Sequence, residues 1–174
     1  MILASPGEEW SSFNGTLSHD QIKVPITALW FYDVDPRIVL IPITQAEAKQ
    51  LGSRVYTSSA DPFKFQDAIV VGATEGYYGE VKFQIDQTTP DYLKMEHNTI
   101  KGLFGKFNPS RGDLVFSRTG ELLGVMANST YCMMIRDFGA SAIVQLGQDV
   151  HAQHTGKTLA QLYSRVFSMP AKLQ

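Results

Sequence analysis

One cysteine, Cys132, is all the chain holds, which excludes an intrachain disulfide and any metal site built from several thiolates. It stands in the apolar run YCMMI, where a thiol reads as a small buried hydrophobe. Runs of lysine or arginine are missing too. The 15 basic residues are mixed with 17 acidic ones for a net charge of -2. That balance gives no basis for binding nucleic acid by phosphate neutralisation or for anchoring to an anionic membrane surface. No apolar stretch reaches the roughly 18 residues that cross a bilayer, so membrane insertion is not expected. The opening decapeptide MILASPGEEW lacks both the basic region and the apolar centre of a secretion signal. It suits a soluble cytoplasmic protein, or a periplasmic or exported one whose leader has been removed.

What is present is ordinary globular material. With 174 residues, 44% of them apolar and 18% charged, the chain can bury one conventional core. No internal repeat or low-complexity tract interrupts it. Residues 1–20 are polar and turn-rich and predict an irregular segment. QIKVPITALWFYDVDP, rich in β-branched and aromatic residues, predicts a strand ending at Asp35-Pro36. RIVLIPI predicts a second. TQAEAKQLG predicts a short helix with Thr44 as N-cap and Gly52 at its stop.

From Ser53 onward the pattern is a train of short strands: SRVYTSS, FQDAIVVGAT, EVKFQID, YLKME, GDLVFS, LLGVMANS, TYCMMI and SAIVQLG. In EVKFQID, Val81, Phe83 and Ile85 alternate with Lys82, Gln84 and Asp86, the period of a half-buried strand. GDLVFS, the turn RTGE and LLGVMANS predict a hairpin. Strands this short, joined by glycine-bearing turns, predict an all-β fold, an antiparallel barrel or sandwich. Near the end KTLAQLYSRVFSM changes to helical spacing. Leu159, Leu162 and Val166 share a face with Tyr163 and Phe167 on its margin, and Pro170 closes the element. That face is expected to dock on the barrel.

The stretch NPSRGDLVFSRTGELLGVMAN resembles the nucleophile region of chymotrypsin-like serine peptidases, bacterial HtrA-type members in particular. The family pattern there is N-P-G-N-S-G-G-P-L-V, a turn, then G-E-V-I-G-V. This chain keeps Asn108-Pro109, Gly112, Leu114-Val115 and the returning TGELLGVMAN. Upstream, RIVLIPITQAEAKQLGSRVYTSSADPFKFQDAIVVG is similar to the family segment that crosses into the second barrel, and ITALWFYDVDP to an earlier strand. The resemblance spans residues 26 to 130, about three-fifths of the chain. It implies a trypsin-like six-stranded antiparallel Greek-key barrel, mainly the second barrel with a remnant of the first, plus the C-terminal helix. The implied division is 1–52 for an irregular N-terminal segment with remnant strands and the short helix, 53–147 for the barrel and 148–174 for the helical segment.

Counting back from Leu114, the resemblance places Ser110 at the nucleophile position, with Ser110-Arg111-Gly112-Asp113 standing where the family has S-G-G-P. Anchoring on Asn108-Pro109 instead leaves the loop two residues short and no residue in that place. A serine nucleophile needs a tight turn, converging amide N–H groups for the oxyanion and an adjacent base. Arg111 crowds the first requirement and Asp113 sets a negative charge against the second. The third lacks its residues: the family's acid falls at Ile26 or Thr27, and His19 is the one histidine upstream of that strand.

The chain therefore reads more as a non-enzyme than an enzyme: a pseudopeptidase serving as a scaffold or as a module that binds a peptide or protein. Two alternatives stand beside it. One is an active hydrolase in which Ser110 is served by an unconventional base such as His97 or a lysine, and the other is an unrelated β-barrel interaction domain. Arg111, Gly112 and Asp113 also spell the adhesion tripeptide RGD and are the candidate binding residues. His151 and His154 are spaced for one helical face but have no evident third ligand, so neither a metal nor a cofactor is expected.

Overall fold

The computed structural model describes residues 11–72, 78–96, 107–149 and 151–174. The chain forms two compact units, one made of Met1–Arg54 with Gly139–Ser168 and the other of Val55–Phe138 with Met169–Gln174.

Among the described residues the first unit holds two small sheets and two helices. Strands β1 (Gly15–His19) and β2 (Ile22–Ile26) form an antiparallel hairpin. Its two-residue turn rests on Asp20 at φ 53°, a left-handed conformation that aspartate tolerates. Strand β1 falls in the segment expected to be irregular. Its GTLSH sequence is too polar to signal a strand, and the pairing with β2 makes it one. Strand β3 (Ala28–Tyr32) begins after a break at Thr27, so the single long strand expected here is two. Strand β4 is only Val39–Leu40.

Between β3 and β4 lies the Asp35-Pro36 turn. Its carboxylate is 1% exposed and is met by the Arg37 side chain, Nε to Oδ1 at 2.9 Å and Nη2 to Oδ2 at 2.6 Å. A buried charge is tolerated only when paired in this manner.

Helix α1 (Gln45–Gln50) carries both predicted signals. The Thr44 hydroxyl accepts from Glu47 N at 3.2 Å while the Glu47 carboxylate accepts from Thr44 N at 2.7 Å, a capping box. The donation from Thr44 N, with a second from the Thr44 hydroxyl at 2.7 Å, holds the Glu47 carboxyl below its ordinary range. At the other end Gly52 takes φ 64°. Ser53 N donates to Ala48 O and Gly52 N to Lys49 O, the Schellman pattern that glycine permits.

The second unit is a closed antiparallel barrel. Its strands are β5 (Asp67–Val71), β6 (Tyr78–Ile85), β7 (Tyr92–Met95), β8 (Leu114–Ser117), β9 (Leu122–Met126) and β10 (Tyr131–Met134). Around the barrel the order is β5-β6-β7-β10-β9-β8, and β8 closes on β5. The interior is filled by Ala68, Val70, Val81, Phe83, Leu93, Met95, Val115, Leu123, Met126, Cys132 and Met134. The alternation predicted for β6 holds at Val81 and Phe83. It fails at Ile85, which is 59% exposed although it still pairs with Leu93 of β7.

Closure explains two further differences from expectation. A barrel has no open edge to accept more strands. Residues 53–57 accordingly form no strand; the Tyr56 ring packs at a tilt against Phe116, centroids 4.8 Å apart, and Ser58 just beyond makes one isolated bridge to Leu122. Strand β11 (Ala140–Gln145), expected within the barrel range 53–147, pairs instead with β3 in the first unit and gives the sheet order β11-β3-β4.

Helix α2 (Thr155–Ser168) buries Leu162 and half-buries Leu159 and Val166, the predicted stripe. It belongs to the first unit, with the sheet, rather than to the barrel as expected. Arg165 Nη2 there donates to Asp33 O at 2.5 Å.

Gly124 shows how tightly β9 and β10 approach. A Cβ built there lies 2.3 Å from Met133 O and 2.7 Å from Cys132 Sγ. Backbone cannot step aside as a flexible side chain would. Gly124→Ala is therefore expected to cost about 2 kcal/mol or more, read as a lowered urea midpoint at unchanged slope.

Candidate functional site

The candidate residues lie on the turn that feeds β8. Ser110 to Asp113 close a four-residue turn through Asp113 N to Ser110 O at 3.2 Å. Gly112 takes φ 94° at its third position, as a type II turn requires. The turn is joined to the end of β9. Gly112 N donates to Met126 O at 2.9 Å, Met126 N to Asp113 O at 2.8 Å, and Arg111 Nε to Ala127 O at 3.0 Å.

Ser110, Arg111 and Gly112 are exposed, whereas Asp113 is 2% exposed. The Asp113 carboxylate turns back on the turn it belongs to. Its Oδ2 accepts from Ser110 N at 2.7 Å and from the Ser110 hydroxyl at 3.4 Å. The structure thus brings the first and last of the four candidate residues together, and of the RGD tripeptide only Arg111 and Gly112 face solvent.

The chemical consequences are specific. The amides of Ser110, Gly112 and Asp113 already have acceptors within the protein, so these three do not converge on an open position for an oxyanion. A carboxylate 2.7 Å from Ser110 N opposes negative charge at that place. The hydroxyl is aimed at the same carboxylate at the long end of hydrogen-bond range, a contact that orients it without making it a strong nucleophile.

His97, the unconventional base considered for Ser110, lies outside the described residues. His151 and His154 are exposed in the segment leading to α2. The backbone N–H of His151 donates to Asp149 at 2.7 Å, and this bond, with that from Ala152, holds the Asp149 carboxyl below its usual range. Among the described residues no three His, Cys, Asp or Glu side chains cluster to hold a metal ion. Cys132 is fully buried, and burial pushes its thiol well above the ordinary range. It is an inert core residue.

A second polar constellation was not singled out from the sequence. Asp86, just past β6, accepts at Oδ1 from Thr88 N at 3.0 Å and from the Thr88 hydroxyl at 2.7 Å. Its Oδ2 accepts from the Tyr131 hydroxyl at 3.3 Å and from Lys172 Nζ at 2.5 Å. Lys172 foremost, with Thr88, holds this carboxyl well below its ordinary range. The local pattern Asp-x-Thr was legible as an Asx turn. The partner 86 positions away was not.

Compared with protein families, with curated proteins and with solved structures, the chain matches none.

If Asp113 fixes the turn, Asp113→Ala leaves the Ser110 amide without its acceptor and is expected to destabilise the barrel by about 2 kcal/mol. Ser110→Ala, which removes one long contact at an exposed position, should stay within about 0.5 kcal/mol of the parent. Chemical denaturation of the two variants side by side checks the contrast.

Proposed function

We propose that the chain is a non-catalytic domain of trypsin-like fold, a pseudopeptidase whose barrel acts as a scaffold or as a module that binds a peptide or protein. The strand order β5-β6-β7-β10-β9-β8 supports the fold half of this reading. It is two three-stranded meanders, β5-β6-β7 and β8-β9-β10, with β8 set beside β5 in a Greek-key order. The position of Ser110 directly before the fourth strand of the barrel, where the resemblance puts the nucleophile, adds to it.

The observation that carries the functional half is the bond from Ser110 N to the buried Asp113 carboxylate at 2.7 Å. In a working serine hydrolase the amides of the nucleophile's turn receive the negative charge that develops on the substrate oxygen. A carboxylate already holding the serine's own amide occupies that role with charge of the wrong sign. The trypsin-like frame is then left with its capacity to present surfaces and loops.

A fluorophosphonate probe tests this directly. Incubated with the folded chain, it is expected to leave Ser110 unmodified by intact mass and peptide mapping at concentrations that label an active serine peptidase completely. Stoichiometric labelling of Ser110, lost in Ser110→Ala, would establish an active hydrolase instead.

A further inference from the structure

The last residues of the chain are held by the barrel as a bound peptide would be. Helix α2 ends at Ser168, within the first unit, yet Met169–Gln174 belongs with the barrel unit. Three kinds of contact and the burial of one side chain fix the segment. Lys172 Nζ donates to Asp86 Oδ2 and to Thr88 Oγ1, each at 2.5 Å. The same ammonium lies 5.4 Å from the centre of the Tyr131 ring, within reach of a cation–π attraction. Asn128 Nδ2 donates to the backbone carbonyl of Lys172 at 2.9 Å. Leu173 is 1% exposed.

The receiving groups are held in place by the barrel itself. Asp86 Oδ1 is fixed by both donors of Thr88, which leaves Oδ2 turned outward beside the Tyr131 hydroxyl. The Asn128 side-chain oxygen accepts from Thr130 N and Tyr131 N, each at 2.9 Å, and that pair of bonds aims its amide donors outward. A carboxylate, a hydroxyl, an aromatic face and an amide donor are thus arranged by residues of the barrel before Lys172 contributes anything. Pre-organisation of this kind lowers the ordering cost of any peptide that fits.

We infer that the face formed by Asp86, Thr88, Asn128 and Tyr131 is a recognition site for a peptide carrying lysine followed by leucine. Residues 169–174 occupy it as a tethered, self-inhibiting ligand. Lysine suits the site because its ammonium has three donors and no acceptor, matching two oxygens and a ring face. The following leucine supplies the buried apolar anchor, and the Asn128 bond to the lysine carbonyl sets the direction of the peptide. The inference rests on the reading of the barrel as a binding module and names the class of ligand.

Tethering gives the native segment an effective concentration near the millimolar range, so a free peptide competes poorly unless the tether's own contacts are weakened. The experiment uses the full chain in three forms and a fluorescein-labelled peptide, Met-Pro-Ala-Lys-Leu-Gln, followed by fluorescence anisotropy. The parent is expected to show little binding at micromolar peptide. The double variant Lys172→Ala with Leu173→Ala should bind saturably. Adding Asp86→Asn to that variant, or replacing the lysine of the peptide by alanine, should weaken binding about tenfold.

A double variant that keeps its cooperative thermal transition but binds no peptide overturns the inference. Binding indifferent to both Asp86 and the peptide lysine overturns it as well. If the double variant loses its cooperative transition, Lys172→Glu, at a side chain 34% exposed, replaces it with the same two outcomes decisive. Labelling of Ser110 by fluorophosphonate would defeat the non-catalytic reading and leave peptide binding intact, so the two failures are distinguishable.

Discussion

A carboxylate taken almost wholly out of water has to be given hydrogen-bond donors, and at Asp113 two of them belong to the turn it closes. Leaving such a group unmatched would cost several kcal/mol. Here the amide of Ser110 answers it at 2.7 Å, while the Asp113 main chain continues the β8–β9 ladder through Met126. One burial event therefore fixes the shape of the turn and its electrostatic sign. It also fixes how its amides are used. The same residue types that make the stretch look like a nucleophile loop, a serine and a glycine ahead of an apolar strand, serve in this arrangement to start a strand.

Closure of the barrel is the second constraint, and it accounts for which segments pair elsewhere. With β8 paired to β5 and β9 to β10, the ladder is complete, and the segments before and after find other partners. Residues 53–57 lie outside as irregular chain, and β11 joins β3. The close approach at Gly124 is a local result of the same closure, since two neighbouring backbones there leave no space for even a methyl group. The outer surface is free of strand-pairing demands, and it can carry recognition groups such as Asp86 and Asn128 on the connections between strands.

Elements specified by neighbours in sequence were legible. Helix α1 announced itself through Thr44, Glu47 and Gly52, whose hydrogen bonds span only a few residues. The β8–β9 hairpin was visible in its turn residues, α2 in its apolar stripe, and an antiparallel barrel or sandwich in the spacing of the strands. Elements specified by distant partners were not. Strand β1 is polar and owes its conformation to β2, and β11 carries no mark that tells β3 from a barrel strand. At the candidate site, Ser110 and Asp113 could be named in advance. The direction of the Asp113 side chain depends on burial beside β9, which composition does not reveal. The Lys172 contacts lay beyond reach for the same reason: Asp86 and Lys172 meet only because the folded chain returns to the barrel.

The central claim is that the amide of Ser110 is committed to Asp113. Residue-resolved hydrogen exchange by nuclear magnetic resonance measures that commitment without disturbing it. The Ser110 amide of the parent is expected to exchange slowly for an exposed turn position, with protection comparable to that of Met126 and lost in Asp113→Ala. Exchange of the parent amide at the rate of an unstructured peptide, unchanged by that substitution, would show the amide to be free and would contradict the account.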